Sequence, residues 1–213
     1  MSTGALTGDD WLLHACREGD KAAFVTLVRR HHPALVALAR CWPGDAHEAQ
    51  HEVRGAWMTL LSAAPAAGQA GAPAAVPAGA TSVRARVARE VTRAATRRTN
   101  VLLQAPDEPI VDPDRFFPRV NELWPDEWAD PPRPWGPIAA RRLSRADMPR
   151  LLVRRTRELG VARAAALTLR DIHAWSVLEC AAALDLPEPQ LRSLLGAARE
   201  GLRAALEAEI DNR

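Results

Sequence analysis

Six arginines fall within fifteen residues, Arg84, Arg86, Arg89, Arg93, Arg97 and Arg98, and only Glu90 offsets them. A guanidinium run of that density can neutralise phosphates, so a nucleic-acid contact through Arg86, Arg89 and Arg93 is one reading; a solvated surface face is the other. Near the C-terminus, Gln190, Arg192, Ser193, Arg199 and Arg203 make a second polar set beside an apolar stripe. In a groove-entering helix, Arg192 would pair bidentately with a base edge, and Arg199 and Arg203, farther along, would meet phosphates.

Catalytic chemistry finds no comparable set. His14, Cys16, His31 and His32 are close in sequence but lack paired ligand spacing, and His31 falls on an apolar stripe, which reads as a satisfied core histidine and no metal site. No Gly-rich phosphate loop, zinc-protease helix or nucleophile elbow occurs. The expectation is a non-enzyme without a cofactor. Three cysteines, Cys16, Cys41 and Cys180, are odd in number and far apart, the N-terminus lacks a signal-peptide pattern, and charges interrupt every apolar run before the ~18 residues of a membrane span. The chain is therefore expected to be cytoplasmic, reduced and off the membrane.

The elements that would hold these residues are helical. Asp9 or Asp10 caps a short helix whose face carries Trp11, Leu12, Ala15 and Cys16, and Gly19 ends it. Asp20 caps a second, in which Phe24, Leu27, Val28, His31, Leu35, Leu38 and Trp42 recur at three- and four-residue steps. Pro43-Gly44-Asp45 breaks the chain before a third helix with Ala49, Val53, Trp57 and Leu60. Residues 64–81 are small, uncharged and Pro/Gly-punctuated, as in a flexible loop, and the Arg-rich helix follows from Ser82. Residues 99–140 hold nine prolines together with Trp124, Trp128 and Trp135 beside Asp126, Glu127 and Asp130. They read as an interdomain linker, and the tryptophans as anchors that fill an apolar groove. Farther on, Ser176-Val177-Leu178-Glu179 is a capping box, Asp185-Leu186-Pro187 a tight turn, and Pro189 opens a last helix striped with Leu191, Leu194, Leu195, Ala198 and Leu202. Two helices so joined match a helix-turn-helix, for which two packed helices of an ordinary bundle are the plain alternative. The expected architecture is all-α: a helical domain over 1–98, the linker over 99–140 and a helix-turn-helix domain over 141–213.

These residues resemble a known family. DDWLLHACREGDKAAFVTLVRRHHPALVALARCWPGDAHEA, with its Gly-Asp-x-x-Ala-Phe step from Gly19 to Phe24, resembles the start of domain two of the extracytoplasmic-function sigma factors. LTLRDIHAWSVLECAAALDLPEPQLRSLLGAAREGLRAAL is similar to their domain four, and WADPPRPW to a Trp/Pro segment in the linker of one subgroup. The resemblance implies a DNA-binding transcription initiation factor. Domain two would grip core RNA polymerase, with His51, Arg54 and Trp57 on the contact face, and domain four would read promoter DNA in the major groove; an anti-sigma factor is a further partner class. The chain departs from the pattern in three places. An acidic stretch of the family becomes Ala49-Gln50-His51-Glu52-Val53-Arg54, an aromatic-led melting helix is reduced to Arg86–Val91, and a His-Arg pair becomes Gly196-Ala197. Strand opening relies on stacking and capturing bases. The departures thus leave two alternatives, a degenerate sigma-like interaction module that holds polymerase or a regulator without melting, and a plain helix-turn-helix regulator.

Overall fold

The computed structural model describes residues 8–63, 82–103 and 148–211. Helices α1 (Gly8–Arg17), α2 (Lys21–Ala39), α3 (Ala46–Ser62) and α4 (Val83–Thr99) form the first part; α5 (Met148–Glu158), α6 (Val161–Leu167), a π-helical turn (Thr168–Ile172), α7 (Val177–Leu184) and α8 (Glu188–Asp211) form the second. No strand occurs among the described residues, so the fold is all-α. The loop over 64–81 and the linker beyond Leu103 lie outside the described residues; Val101 and Leu103, which follow α4, pack on the core.

Local chemistry sets the helix ends. Gly19 takes a φ of +95° after α1, a conformation that glycine adopts without steric cost. Asp20 then accepts from the amides of Ala22 at 2.8 Å and Ala23 at 3.1 Å, satisfying two orphan donors of α2. Asp45 and Glu48 make a reciprocal capping box at the start of α3, both bonds 2.8 Å. On α1 the buried residue is Leu13, while Trp11 stays 59% exposed. The inward face is thus displaced from the one expected through Trp11.

The Arg-rich helix is the central one. Val83, Val87 and Val91 of α4 are fully buried, and the helix packs on α2, α3 and α7. Its stripe of three valines at four-residue spacing, joined by Ala88 and Ala95, is low, which lets α7 approach with its own small residues Cys180 and Ala183. A single apolar cluster consequently runs from Leu35, Leu38 and Val53 to Leu169, Leu184 and Leu191. The parts expected as separate domains share this core among the described residues. A satellite cluster of Leu151 and Leu206, with Met148, Leu152 and Leu202 against it, fixes α5 to the far half of α8.

No helix of the described residues is long and apolar enough to cross a membrane.

Candidate functional site

The α7–α8 unit is built from its caps. Ser176 Oγ accepts from the Glu179 amide at 3.2 Å, and the Ser176 amide donates to Glu179 Oε2 at 3.1 Å. α7 ends at Asp185 in the left-handed region, φ 56°, where the Asp185 and Leu186 amides both return to the Ala181 carbonyl. Three residues later α8 begins, with Pro189 in its first turn, where a missing N–H breaks no helical bond. Leu191, Leu194 and Ala198 face inward; Gln190, Arg192 and Arg199 face solvent. Ser193, expected beside them, is 7% exposed and belongs to the packed face, because its position falls between the inward Leu191 and Leu194.

The arginines of this outer face are held by carboxylates at the surface. Arg192 Nε donates to Glu188 Oε1 at 3.0 Å one turn earlier, and Arg203 Nε to Glu207 at 2.8 Å one turn later. Arg199 makes a bidentate pair with Asp171 of the π turn, at 2.9 and 2.7 Å, which raises its pKa above the ordinary arginine value. Exposed pairs of this kind are each worth under about 1 kcal/mol, so a phosphate or base edge can displace the carboxylate at small cost. Sequence reading missed Asp171, because its partner lies far along the chain.

The α4 arginines have different surroundings. Arg84 grips Glu179 with Nε at 2.7 Å and Nη2 at 2.6 Å, and its guanidinium lies 4.9 Å from the centre of the Trp175 ring. Ser82, the cap of α4, donates to the same carboxylate at 2.8 Å, as does Ser176, the cap of α7, at 3.0 Å. Two helix N-termini therefore converge on one buried acid. Burial alone would raise the Glu179 pKa, but the hydrogen bonds from Arg84, Ser82 and Ser176 outweigh it and hold it at about 2. Arg89 pairs with Asp185, and Arg93 with Asp185 at 3.3 Å and Glu90 at 3.1 Å. Arg86 lies 3.9 Å from Asp10, and burial pushes its pKa down. The three arginines expected at phosphates are thus engaged with carboxylates of this chain, two of them with Asp185 in the α7–α8 turn.

Between α2 and α3 lies a groove of about 530 Å³. Phe24, Val28, Trp57 and Met58 give it apolar walls; His32, His47, Gln50, His51 and Arg54 make the polar ones. Trp57 is 3% exposed and meets Phe24 edge-on, ring centres 6.0 Å apart at 89°. Of the residues expected to face polymerase, His51 and Arg54 are exposed on α3, and Trp57 supports the groove from within. The structure brings all three together.

The remaining reactive types are quiet. His31 is buried with Nε2 2.8 Å from Asp9, and burial lowers its pKa against the opposing pull of that carboxylate. Burial pushes the Cys41 thiol to about 11 and that of Cys180 to about 12, so both are protonated at neutral pH and poor nucleophiles. Among the described residues no group of three or more His, Cys, Asp and Glu is placed to hold a metal ion.

No family model matches the chain, and neither a curated protein nor a solved structure matches it.

Proposed function

We propose that this chain is a sigma-like transcription factor that docks on core RNA polymerase through the α2–α3 groove and reads promoter DNA with α8. The observation that carries this reading is the α7–turn–α8 unit: a short capped helix, a three-residue turn and a long helix whose outer face offers Gln190, Arg192 and Arg199. A short helix, a tight turn and a long second helix are the elements of a helix-turn-helix, whose second helix enters a major groove. Arg192, in the first turns and 62% exposed, is the residue for a base edge, and Arg199 and Arg203 serve the backbone. The groove lies on other helices, so one chain can hold both partners.

A second reading rests on α4. Arg84, Arg89 and Arg93 answer Glu179 and Asp185, and the Arg84–Glu179 pair is buried enough that a separated strand would have to break it at a real cost. This favours a module that holds polymerase or a regulator without melting promoters. A plain helix-turn-helix regulator would bind DNA and ignore polymerase.

Co-elution of the purified protein with core RNA polymerase, with and without an excess of a competing sigma factor, separates these. Competable stoichiometric binding supports the first two readings; DNA binding without polymerase binding leaves the regulator. Arg192→Ala should then weaken binding by ~1–3 kcal/mol at a single base pair of the preferred site. An unchanged sequence profile removes Arg192 from base reading.

A further inference from the structure

We propose that the α2–α3 groove is also a docking site for the chain's own acidic, tryptophan-bearing stretch, residues 121–130, which competes there with polymerase. The competition rests on the function proposed above; the docking does not.

The groove asks for a partner that is apolar at its centre and acidic at its edge. Met58 is 60% exposed, so apolar surface remains open in the groove that the Phe24–Trp57 pair lines. The polar wall holds Arg54 and three histidines, and among the described residues no carboxylate lines the groove. Residues 121–130 read Asn-Glu-Leu-Trp-Pro-Asp-Glu-Trp-Ala-Asp, with four acidic groups, two tryptophans four residues apart and no basic residue. Aromatic rings that bury large area bind such grooves best when charges at the rim match.

The path of the chain favours an intramolecular occupant. α4 ends against the start of α3, where Arg98 donates to the Pro43 carbonyl at 2.8 Å and to Glu52 at 2.6 Å. His51 lines both the groove and the adjoining cleft that contains Arg97 and Arg98. Arg98 at the end of α4 thus lies at the α3 end that carries His51, and the roughly eighteen residues between Leu103 and the acidic stretch can span up to about 60 Å, enough to reach the groove. A tether of that length gives an effective concentration near millimolar, so a weak contact is well populated within one molecule.

The test is oxidation of Met58 by dilute hydrogen peroxide, read by mass spectrometry on the full chain, with Met148 as the internal reference. Trp124→Ala/Trp128→Ala removes the two proposed anchors of the stretch. In this variant Met58 should oxidise several-fold faster than in the unaltered chain, and a synthetic peptide of residues 119–132 added in excess should restore the slow rate. Arg54→Glu should accelerate it likewise, with circular dichroism unchanged. Equal rates in the two proteins overturn the docking: fast in both means the groove is open, and slow in both with dependence on protein concentration means a second copy fills it. If Met58 is shielded, tighter polymerase binding by the tryptophan variant supports the competition. Shielding with no polymerase binding in either protein overturns the competition and the polymerase reading together, and leaves the docking standing.

Discussion

Glu179 shows how one side chain can serve a local and a long-range purpose. Read locally it completes a capping box; in the fold it also accepts from Arg84 and Ser82 of α4. Its carboxyl titrates near 4.5 when free and about 2 in the folded chain. A pKa lowered by folding lends stability that is complete above the free value and drains away as pH falls toward the folded one. Urea midpoints should therefore drop through the acidic carboxylate range, and Glu179→Gln should flatten much of that limb. At neutral pH the same change should cost about 3 kcal/mol, since it leaves the Arg84 charge without its partner. Ala174 is a residue of the opposite kind, held at φ 54° between the π turn and α7. A side chain in that region costs about 1–2 kcal/mol, partly offset by the entropy a glycine loses on folding. Ala174→Gly should raise stability by up to about 1 kcal/mol in chemical denaturation; a loss would show that the left-handed turn is not strained.

Among elements, α4 is decisive. Its buried valine stripe places it at the centre, and its arginines are then directed along the seam with α7. The seam contains two kinds of ion pair. Arg84–Glu179 is largely buried and multiply bonded, whereas Arg89 and Asp185 are each nearly half exposed. Asp185→Asn should thus cost less than about 1 kcal/mol and lose that effect in high salt. Asn keeps the left-handed cap of α7, so a large, salt-insensitive loss would mean that the pairs with Arg89 and Arg93 are worth more than exposed ion pairs.

At the scale of the molecule, the common core predicts joint unfolding. With Leu184 of α7 and Val91 of α4 in one cluster, neither part keeps its apolar surface covered alone. Calorimetry should give a single transition, coincident with the circular dichroism melt. Two separable transitions would contradict this. Leu184→Ala should cost about 2–5 kcal/mol and lower that one transition without splitting it.

The sequence alone determined what depends on neighbours within a few turns. The all-α class, the caps at Asp20 and Ser176, the glycine stop at Gly19 and the α7–turn–α8 sequence follow from period and capping chemistry, which act over three or four residues. Even the collection of His51, Arg54 and Trp57 on one helix was legible, since one helix fixes their spacing. Tertiary structure alone decided what those elements meet. Arg84, Arg89 and Arg93 read as an unpaired basic face because their partners, Glu179 and Asp185, lie more than ninety residues away. Ser193 looked available for DNA because its immediate neighbours do not reveal which arc of α8 the core takes. Charge pairing and burial between elements depend on how faces match in space, and a one-dimensional pattern carries the shape of each face but not the choice of its partner.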